Sequence, residues 1–382
     1  MEEKGFEEGK VLDILNNALK KDLKYSDGKI LSSMCTLPHP FARKVCELFA
    51  ETNLGDAGLF EGTKELEDET VKLLGSLLGN KNAKGFIVSG GTEANIMALW
   101  AARNKAGKKN VNVIVPESAH FSFEKAANLL GLELVTASLD SGHCVSVRDV
   151  EKKLDKNTIA IVGVAGSTEY GAIDDIEALA DIAVENGIRL HVDAAFGGFV
   201  IPFLIGYAAR KFDFSIQGVS SITIDPHKMG LAPIPSGCIL FRNADLLRFI
   251  ETRSPYLTER RQFTLTGTRS GASATSVYAV LKLLGREGYR KNVENCMNLT
   301  VQLYREIKAL GLRVLKPAMN ILVFSHEKQD AISEKLLEKG WIVSRTRKGE
   351  IRLVIMPHIT EKSTAAFVED LKDILSSLQI KK

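Results

Sequence analysis

The sequence predicts an α/β fold: a mostly parallel sheet flanked by helices, followed by a smaller α+β C-terminal domain. Three observations carry that prediction. Between Gly85 and Phe241, short apolar runs alternate with helical stretches. Runs such as Ile159-Ala-Ile-Val-Gly-Val-Ala are apolar at nearly every position, as strands covered on both faces are. After about Ala272 the alternation gives way to long helices and a second group of short strands.

In chain order, Lys10 to Leu23 reads as a helix, a loop with Pro38 and Pro40 follows, and Arg43 to Glu51 resumes a helical pattern. The glycine-rich Asn53 to Leu59 is a loop, and Thr63 to Leu78 is a helix stopped by Gly79-Asn80. Strands are expected at Gly85–Ser89, Asn112–Pro116, Leu132–Ala137, Ile159–Ala165 and Arg189–Asp193. Helices lie between them at Thr92–Lys105, Phe121–Leu130, Val147–Leu154 and Ile176–Asn186. Ser221–Asp225 and Cys238–Phe241 are strands with no helix between them, which suggests an antiparallel edge strand. Ala272–Arg286 and Tyr289–Ala309 are long helices. Strands at Arg313–Leu315, Ile321–Phe324, Ile342–Ser344 and Ile351–Ile355, with helices at Ile332–Glu338 and Ser363–Leu378, complete the chain. The expected division is an N-terminal helical segment at 1–52, a large domain at 53–280 and a small domain at 281–382.

Composition narrows the function. The chain has 382 residues, 45% hydrophobic and 25% charged, an ordinary globular balance that suits one large domain and a smaller one. Fifty basic residues against 47 acidic give +3, so the basic stripe of a nucleic-acid binder is missing. The five cysteines are scattered, with no C-x-x-C, which argues against a disulfide framework or a structural zinc. The polar, acidic start MEEKGFEEGK is unlike a signal peptide. The longest uncharged stretch, Ala194 to Ala209, is broken by Gly197, Gly198, Pro202 and Gly206, so no membrane span is expected. The expectation is a cytoplasmic enzyme without nucleic-acid or membrane partners.

Three constellations carry chemistry. Ser89-Gly-Gly-Thr-Glu-Ala-Asn joins a strand to a helix, and reads either as a phosphate seat at Gly91 and Thr92 or as a tight turn. It has neither the Walker ending nor the dinucleotide fingerprint. His191 and Asp193 share one face of a strand whose C-terminal end is where open α/β sheets bind ligands. They read as a buried pair satisfied by backbone, as a cofactor ligand, or as half of a metal set completed by Asp225 and His227. Asp225-Pro-His-Lys228-Met ends the next strand. Lys228 reads as a surface lysine or, given its apolar flanks, as a Schiff-base nucleophile with a depressed pKa. A lysine, a carboxylate and a phosphate seat together suit pyridoxal 5'-phosphate. Arg269, in Gly267-Thr-Arg-Ser-Gly, and Arg352, in an otherwise apolar strand, are candidates for gripping a substrate carboxylate. The Lys105–Lys109 run reads as a solvated helix end.

With these motifs in order, and with Ala119-His120-Phe-Ser-Phe-Glu-Lys-Ala and Gly166-Ser-Thr-Glu-Tyr-Gly-Ala-Ile-Asp, the chain resembles the group II pyridoxal-phosphate decarboxylases. Within that family it is most similar to the archaeal L-aspartate/L-tyrosine decarboxylases, which share Thr-Asn-Leu-Gly-Asp, Asp-Pro-His-Lys-Met-Gly and Pro-Tyr-Leu-Thr-Glu. The resemblance implies a fold-type-I homodimer with shared active sites and an amino-acid substrate. It implies that Lys228 bears the cofactor as a Schiff base, Asp193 pairs the pyridinium, His120 stacks on one ring face and Ala195 packs the other. Gly91 and Thr92 hold the phosphate with His227 nearby, and Thr168 sits near the ring hydroxyl or the base. Tyr256 belongs to a mobile catalytic loop. Larger relatives often carry asparagine where this chain has Asp225, so Asp225 is assigned no role. The implied reaction is aspartate to β-alanine for coenzyme A biosynthesis, with tyrosine or glutamate as alternatives. A metal-dependent hydrolase, an aldolase-type lyase and a silent cofactor-binding protein stay open.

Overall fold

The computed structural model describes residues 1–204 and 211–379, and in it the apolar runs pair into two main sheets. The first seven strands are β1 (Lys84–Val88), β2 (Asn112–Pro116), β3 (Glu133–Ala137), β4 (Thr158–Val164), β5 (Arg189–Asp193), β6 (Val219–Ile224) and β7 (Gly237–Phe241). They form one sheet in the order β1-β7-β6-β5-β4-β2-β3. The strands from β3 to β6 run parallel, and every residue of β2 and β4 is buried. That is the expected α/β architecture.

The antiparallel strand is where expectation and structure differ. β7 runs antiparallel to both β6 and β1, so it lies inside the sheet and β1 forms the edge. The connection from Asp225 to Ser236 contains no helix to carry the chain across, so the strand must turn back beside β6. All five residues of β7 are buried, so both of its edges need partners; β1, with an exposed first residue, supplies the second.

The helices are α1 (Glu8–Leu19), α2 (Pro40–Leu48), α3 (Glu61–Leu77), α4 (Gly91–Ala106), α5 (Ser122–Leu130), α6 (Val147–Lys153), α7 (Ile176–Glu185), α8 (Gly271–Ala309), α9 (Gln329–Glu338) and α10 (Glu361–Ser377). The two long helices expected after Ala272 are the halves of α8, broken at Gly285, where φ is 55°. A short hairpin, β8 (Thr252–Arg253) and β9 (Arg261–Gln262), was not anticipated, because two-residue strands show no periodicity.

The second sheet contains β10 (Arg313–Val314), β11 (Ile321–Ser325), β12 (Ser344–Arg345) and β13 (Ile351–Val354), in the antiparallel order β10-β11-β13-β12. Its core takes in Leu31 as well as Trp341 and Phe367. Leu31 N–H donates to Ile342 O at 2.8 Å, and Leu31 O accepts from Val354 N–H at 2.7 Å. Among the described residues no helix is long and apolar enough to cross a membrane. The end of the uncharged stretch Ala194 to Ala209 lies outside the described residues.

Candidate active site

The C-terminal ends of β4, β5 and β6 and the turn from β1 into α4 open onto one cavity of about 350 Å³. That is the size range of small-molecule sites, and it lies where open α/β sheets place them. The structure brings together Gly91, Thr92, His120, Thr168, Asp193, Ala195, His227 and Lys228 on its walls, with Asp225 added. α4 starts at Gly91 with no side-chain cap, so its first N–H groups stay available to an anion. A methyl on Gly91 would sit 3.0 Å from Asp225 Oδ2 and 3.3 Å from the Ala195 methyl, so only glycine leaves this gap open.

Lys228 is partly buried, with 19% of its side chain exposed, and its Nζ lies 2.9 Å from Asp225 Oδ2. Burial alone pushes its pKa down. The charge of Asp225, the hydrogen bond to it and the charge of Asp193 outweigh burial and leave the pKa above the ordinary lysine value. The expected depression is therefore corrected by a counter-charge that sequence reasoning set aside. Asp225 also lies 3.6 Å from His227 Nε2, and its own Oδ1 is buried without a hydrogen-bond partner. His227 Nδ1 accepts from Ser236 N–H at 3.1 Å. Burial lowers the pKa of His227 and His120 despite nearby carboxylates, so both rings are neutral near pH 7.

Asp193 is held from both sides. Its Oδ1 accepts from Ala195 N–H at 3.0 Å, and its Oδ2 from Asn95 Nδ2 at 2.9 Å. Asn95, buried in the second turn of α4, also donates to Ser122 Oγ at 2.9 Å and accepts from Thr223 Oγ1 at 2.7 Å. In the sequence Asn95 stands only as the end of the Ser89–Asn95 motif; the available signal is a polar residue set among Ala94, Ile96, Met97 and Ala98. His191 Nε2 meets Asn95 Oδ1 at 3.0 Å, and its Nδ1 meets Ser221 Oγ at 2.9 Å. An oxygen acceptor on Nε2 places the ring proton there, so Nδ1 accepts from the serine.

Complete burial drives the His191 pKa down to about 4, with Asp193 opposing. A folded pKa below the unfolded value gives stability that is present above pH ~6.5 and lost as pH falls toward ~4. Unfolding free energy should therefore drop by about 2 kcal/mol from this group between about pH 7.5 and pH 5. His191→Gln should lack that part of the slope in urea titrations. Identical pH slopes in the two proteins would contradict the buried neutral ring.

Both nitrogens of His191 are thus engaged within the fold, and among the described residues no group of three or more His, Cys, Asp or Glu side chains is arranged to hold a metal. The metal set of His191, Asp193, Asp225 and His227 has no geometric support.

Three other expected residues lie outside the cavity wall. Arg269 is buried against Glu67, donating through both terminal nitrogens, and also donates to the carbonyls of Ile87 (2.8 Å) and Leu54 (3.3 Å). Its charge is spent inside the fold rather than offered to a ligand. Tyr256 is 84% exposed on the β8–β9 loop, which is tied to Asp56 through Thr258. Arg352, on β13, is buried; Nη1 donates to Ser344 Oγ at 2.7 Å and Ser32 O at 3.3 Å, while Nε and Nη2 have no partner. Burial lowers its pKa to about 10, with Glu169 opposing.

Residues 62–325 match the family model described as the pyridoxal-dependent decarboxylase conserved domain. The chain belongs to the pyridoxal-dependent decarboxylase family. It is a carboxy-lyase of fold type I. It is 50% identical over 379 residues to a probable L-tyrosine/L-aspartate decarboxylase of Methanothrix thermoacetophila, covering 99% of this chain and 98% of that one. It is 48% identical over 382 residues to the L-aspartate decarboxylase of Thermococcus kodakarensis, covering 98% and 99%. Among solved structures it resembles a sphingosine-1-phosphate lyase of Burkholderia pseudomallei, with a TM-score of 0.92 and 28% identity over 98% of this chain and 92% of that one. A Lactobacillus brevis glutamate decarboxylase shares the fold, with a TM-score of 0.88 and 22% identity over 100% and 95%.

The residues present fit the family's cofactor. A partly buried amine, a doubly anchored carboxylate and an uncapped helix start face one cavity, and the Asp225 Oδ1 and Ser118 Oγ atoms on its wall lack partners.

Proposed function

We propose that this decarboxylase acts on L-aspartate, releasing carbon dioxide and β-alanine. The observation that carries the reading is Arg352: a buried guanidinium with two unbonded nitrogens, on β13 of the small sheet. A buried charge without a full set of acceptors is costly unless a ligand supplies them. Arg352 Nη1 donates to Ser32 O, three residues before Cys35, and the guanidinium feels the charge of Glu169, the residue after Thr168. Cys35 feels the charges of Lys228 and Asp225, and Thr168 lines the cavity, so the segments that carry Ser32 and Glu169 lead toward the site. Arg269 leaves the substrate-binding set because Glu67 occupies it.

When bound, pyridoxal phosphate supplies an electron sink for the pair left at the substrate Cα as carbon dioxide departs. Lys228 would carry the cofactor, and Asp225 Oδ2, 2.9 Å away, would hold the proton Lys228 releases; their contact supports this reading. Asp193 offers a fixed negative charge to a ring nitrogen, since Asn95 and Ala195 prevent its carboxylate from rotating. The first turn of α4 at Gly91 and Thr92 would hold the phosphate, and His120, Ala195 and Thr168, on the same cavity wall, would hold the ring.

A homodimer with shared sites is part of the proposal. α1 buries none of its residues within one chain, although Leu12, Ile14, Leu15 and Leu19 are apolar and exposed. A lone helix of that length is marginal in water, so this face calls for a second copy. The exposed Tyr256 supports a loop that reaches a neighbouring site and protonates Cα. We further infer a cytoplasmic, archaeal enzyme supplying β-alanine for coenzyme A; the scattered cysteines, with no C-x-x-C, and the archaeal sources of its relatives support this.

Tyrosine is the second reading, supported by relatives whose names pair it with aspartate, and glutamate the third. Comparing kcat/KM for the three substrates tests the ranking; a preference for tyrosine would overturn it. Arg352→Leu should lower kcat/KM for aspartate ~100-fold, since two charge-assisted hydrogen bonds are lost and ~1.4 kcal/mol is tenfold. Tyrosine should suffer less. Equal losses would mean that Arg352 grips the α-carboxylate or another common group, and no loss would make it structural.

A further inference from the structure

Arg347 belongs to no motif used above. It stands in the turn between β12 and β13, yet its bonds run to the large sheet's loops. Its backbone N–H donates to Glu169 Oε2 at 3.0 Å, and its Nε lies 3.3 Å from Glu169 Oε1. Its Nη1 donates to Glu117 O, and its Nη2 to Ala119 O at 3.4 Å. Those carbonyls flank Ser118 and lead directly into His120, and both of these residues line the cavity. Glu169 follows Thr168, which lines it too. One small-sheet turn thus grips two loops of the site. Glu350, at the far end of the turn, adds a tie by accepting from Tyr170 OH at 3.0 Å and Thr346 Oγ1 at 2.9 Å.

The charges give this grip a consequence. Glu169 is the carboxylate whose field reaches Arg352, and Arg352 has two buried nitrogens without acceptors. A free carboxylate beside such a guanidinium pairs with it, preferably through two hydrogen bonds. Arg347 engages both oxygens of Glu169 instead. We propose that Arg347 is a positioning residue: it holds Glu169 away from Arg352, leaving Arg352 open to a substrate carboxylate, and pins the loop that carries His120. This rests on the reading of Arg352 as a carboxylate ligand.

The test compares the cofactor-loaded enzyme with Arg347→Ala, Glu169→Gln and the double variant, using aspartate. Arg347→Ala keeps the backbone N–H bond to Oε2 but removes the Nε contact with Oε1, and should raise KM about tenfold while kcat changes far less, because the released Oε1 then competes with substrate for Arg352. The double variant should recover most of that KM, since a neutral glutamine competes poorly. A double variant no better than Arg347→Ala would overturn the charge-sparing role, as would an unchanged KM in Arg347→Ala. Hydrogen exchange gives a readout independent of substrate. The amides of Glu117 and Ala119, bonded to Ala137 O and Pro116 O, should exchange faster in Arg347→Ala. Unchanged exchange there would overturn the latch. Failure of the underlying reading shows separately, as an Arg352→Leu enzyme with an unaltered KM for aspartate.

Discussion

Lys228→Ala is expected to lower turnover by at least about 10³-fold and to remove the visible band of the bound cofactor. In the resting protein the Lys228 ammonium is the direct partner of Asp225, whose other oxygen is already unbonded. Deleting the lysine leaves a buried carboxylate with only His227, 3.6 Å away, beside it, a change that costs about 3–5 kcal/mol unless the carboxylate or that ring takes up a proton. The single variant should therefore lose stability as well as activity. Lys228→Ala combined with Asp225→Asn should regain most of the stability and none of the activity. That split separates the chemical role of Lys228 from its part in the ion pair. Borohydride reduction of the loaded enzyme followed by peptide mapping checks the attachment point. A label on any other lysine would contradict the assignment.

Asp193→Asn is expected to reduce kcat on the order of 10³-fold while the protein still binds pyridoxal phosphate. The carboxylate accepts two protein hydrogen bonds, from Ala195 N–H and from Asn95. An asparagine has one acceptor oxygen and one NH2, so it must turn a donor toward one of those donors, at a cost of about 1–3 kcal/mol. It also removes the negative charge that would keep a ring nitrogen protonated. Stability and kcat should therefore fall together; adding Asn95→Asp supplies an acceptor for the new amide NH2 and should regain part of the stability, but not kcat, because position 193 still carries no charge for the ring nitrogen. Near-normal kcat in Asp193→Asn would show that the ring nitrogen needs no charged partner.

The groups on the cavity wall were legible because they sit on strand ends and on a strand–helix turn, where spacing along the chain translates directly into position. His191 and Asp193 share a face because they are two apart on β5, and Gly91 and Thr92 start α4 because glycines end β1. What the sequence concealed is pairing between distant residues. Arg269 and Glu67 are 202 residues apart, so nothing local distinguished a structural guanidinium from a ligand-binding one. Asp225 was set aside by comparison with relatives; only its distance to Lys228 shows that it sets that lysine's charge. The place of β7 depended on β1 returning from more than a hundred residues upstream to cover its second edge, a choice made by burial rather than by periodicity.

The central claim is that this cavity decarboxylates an amino acid. The direct measurement is carbon dioxide release by the purified, pyridoxal-phosphate-loaded protein with each of the twenty amino acids in turn. Release with aspartate as the best substrate, in one-to-one yield with β-alanine, is the predicted result. A protein that binds the cofactor yet releases no carbon dioxide from any of the twenty would contradict it.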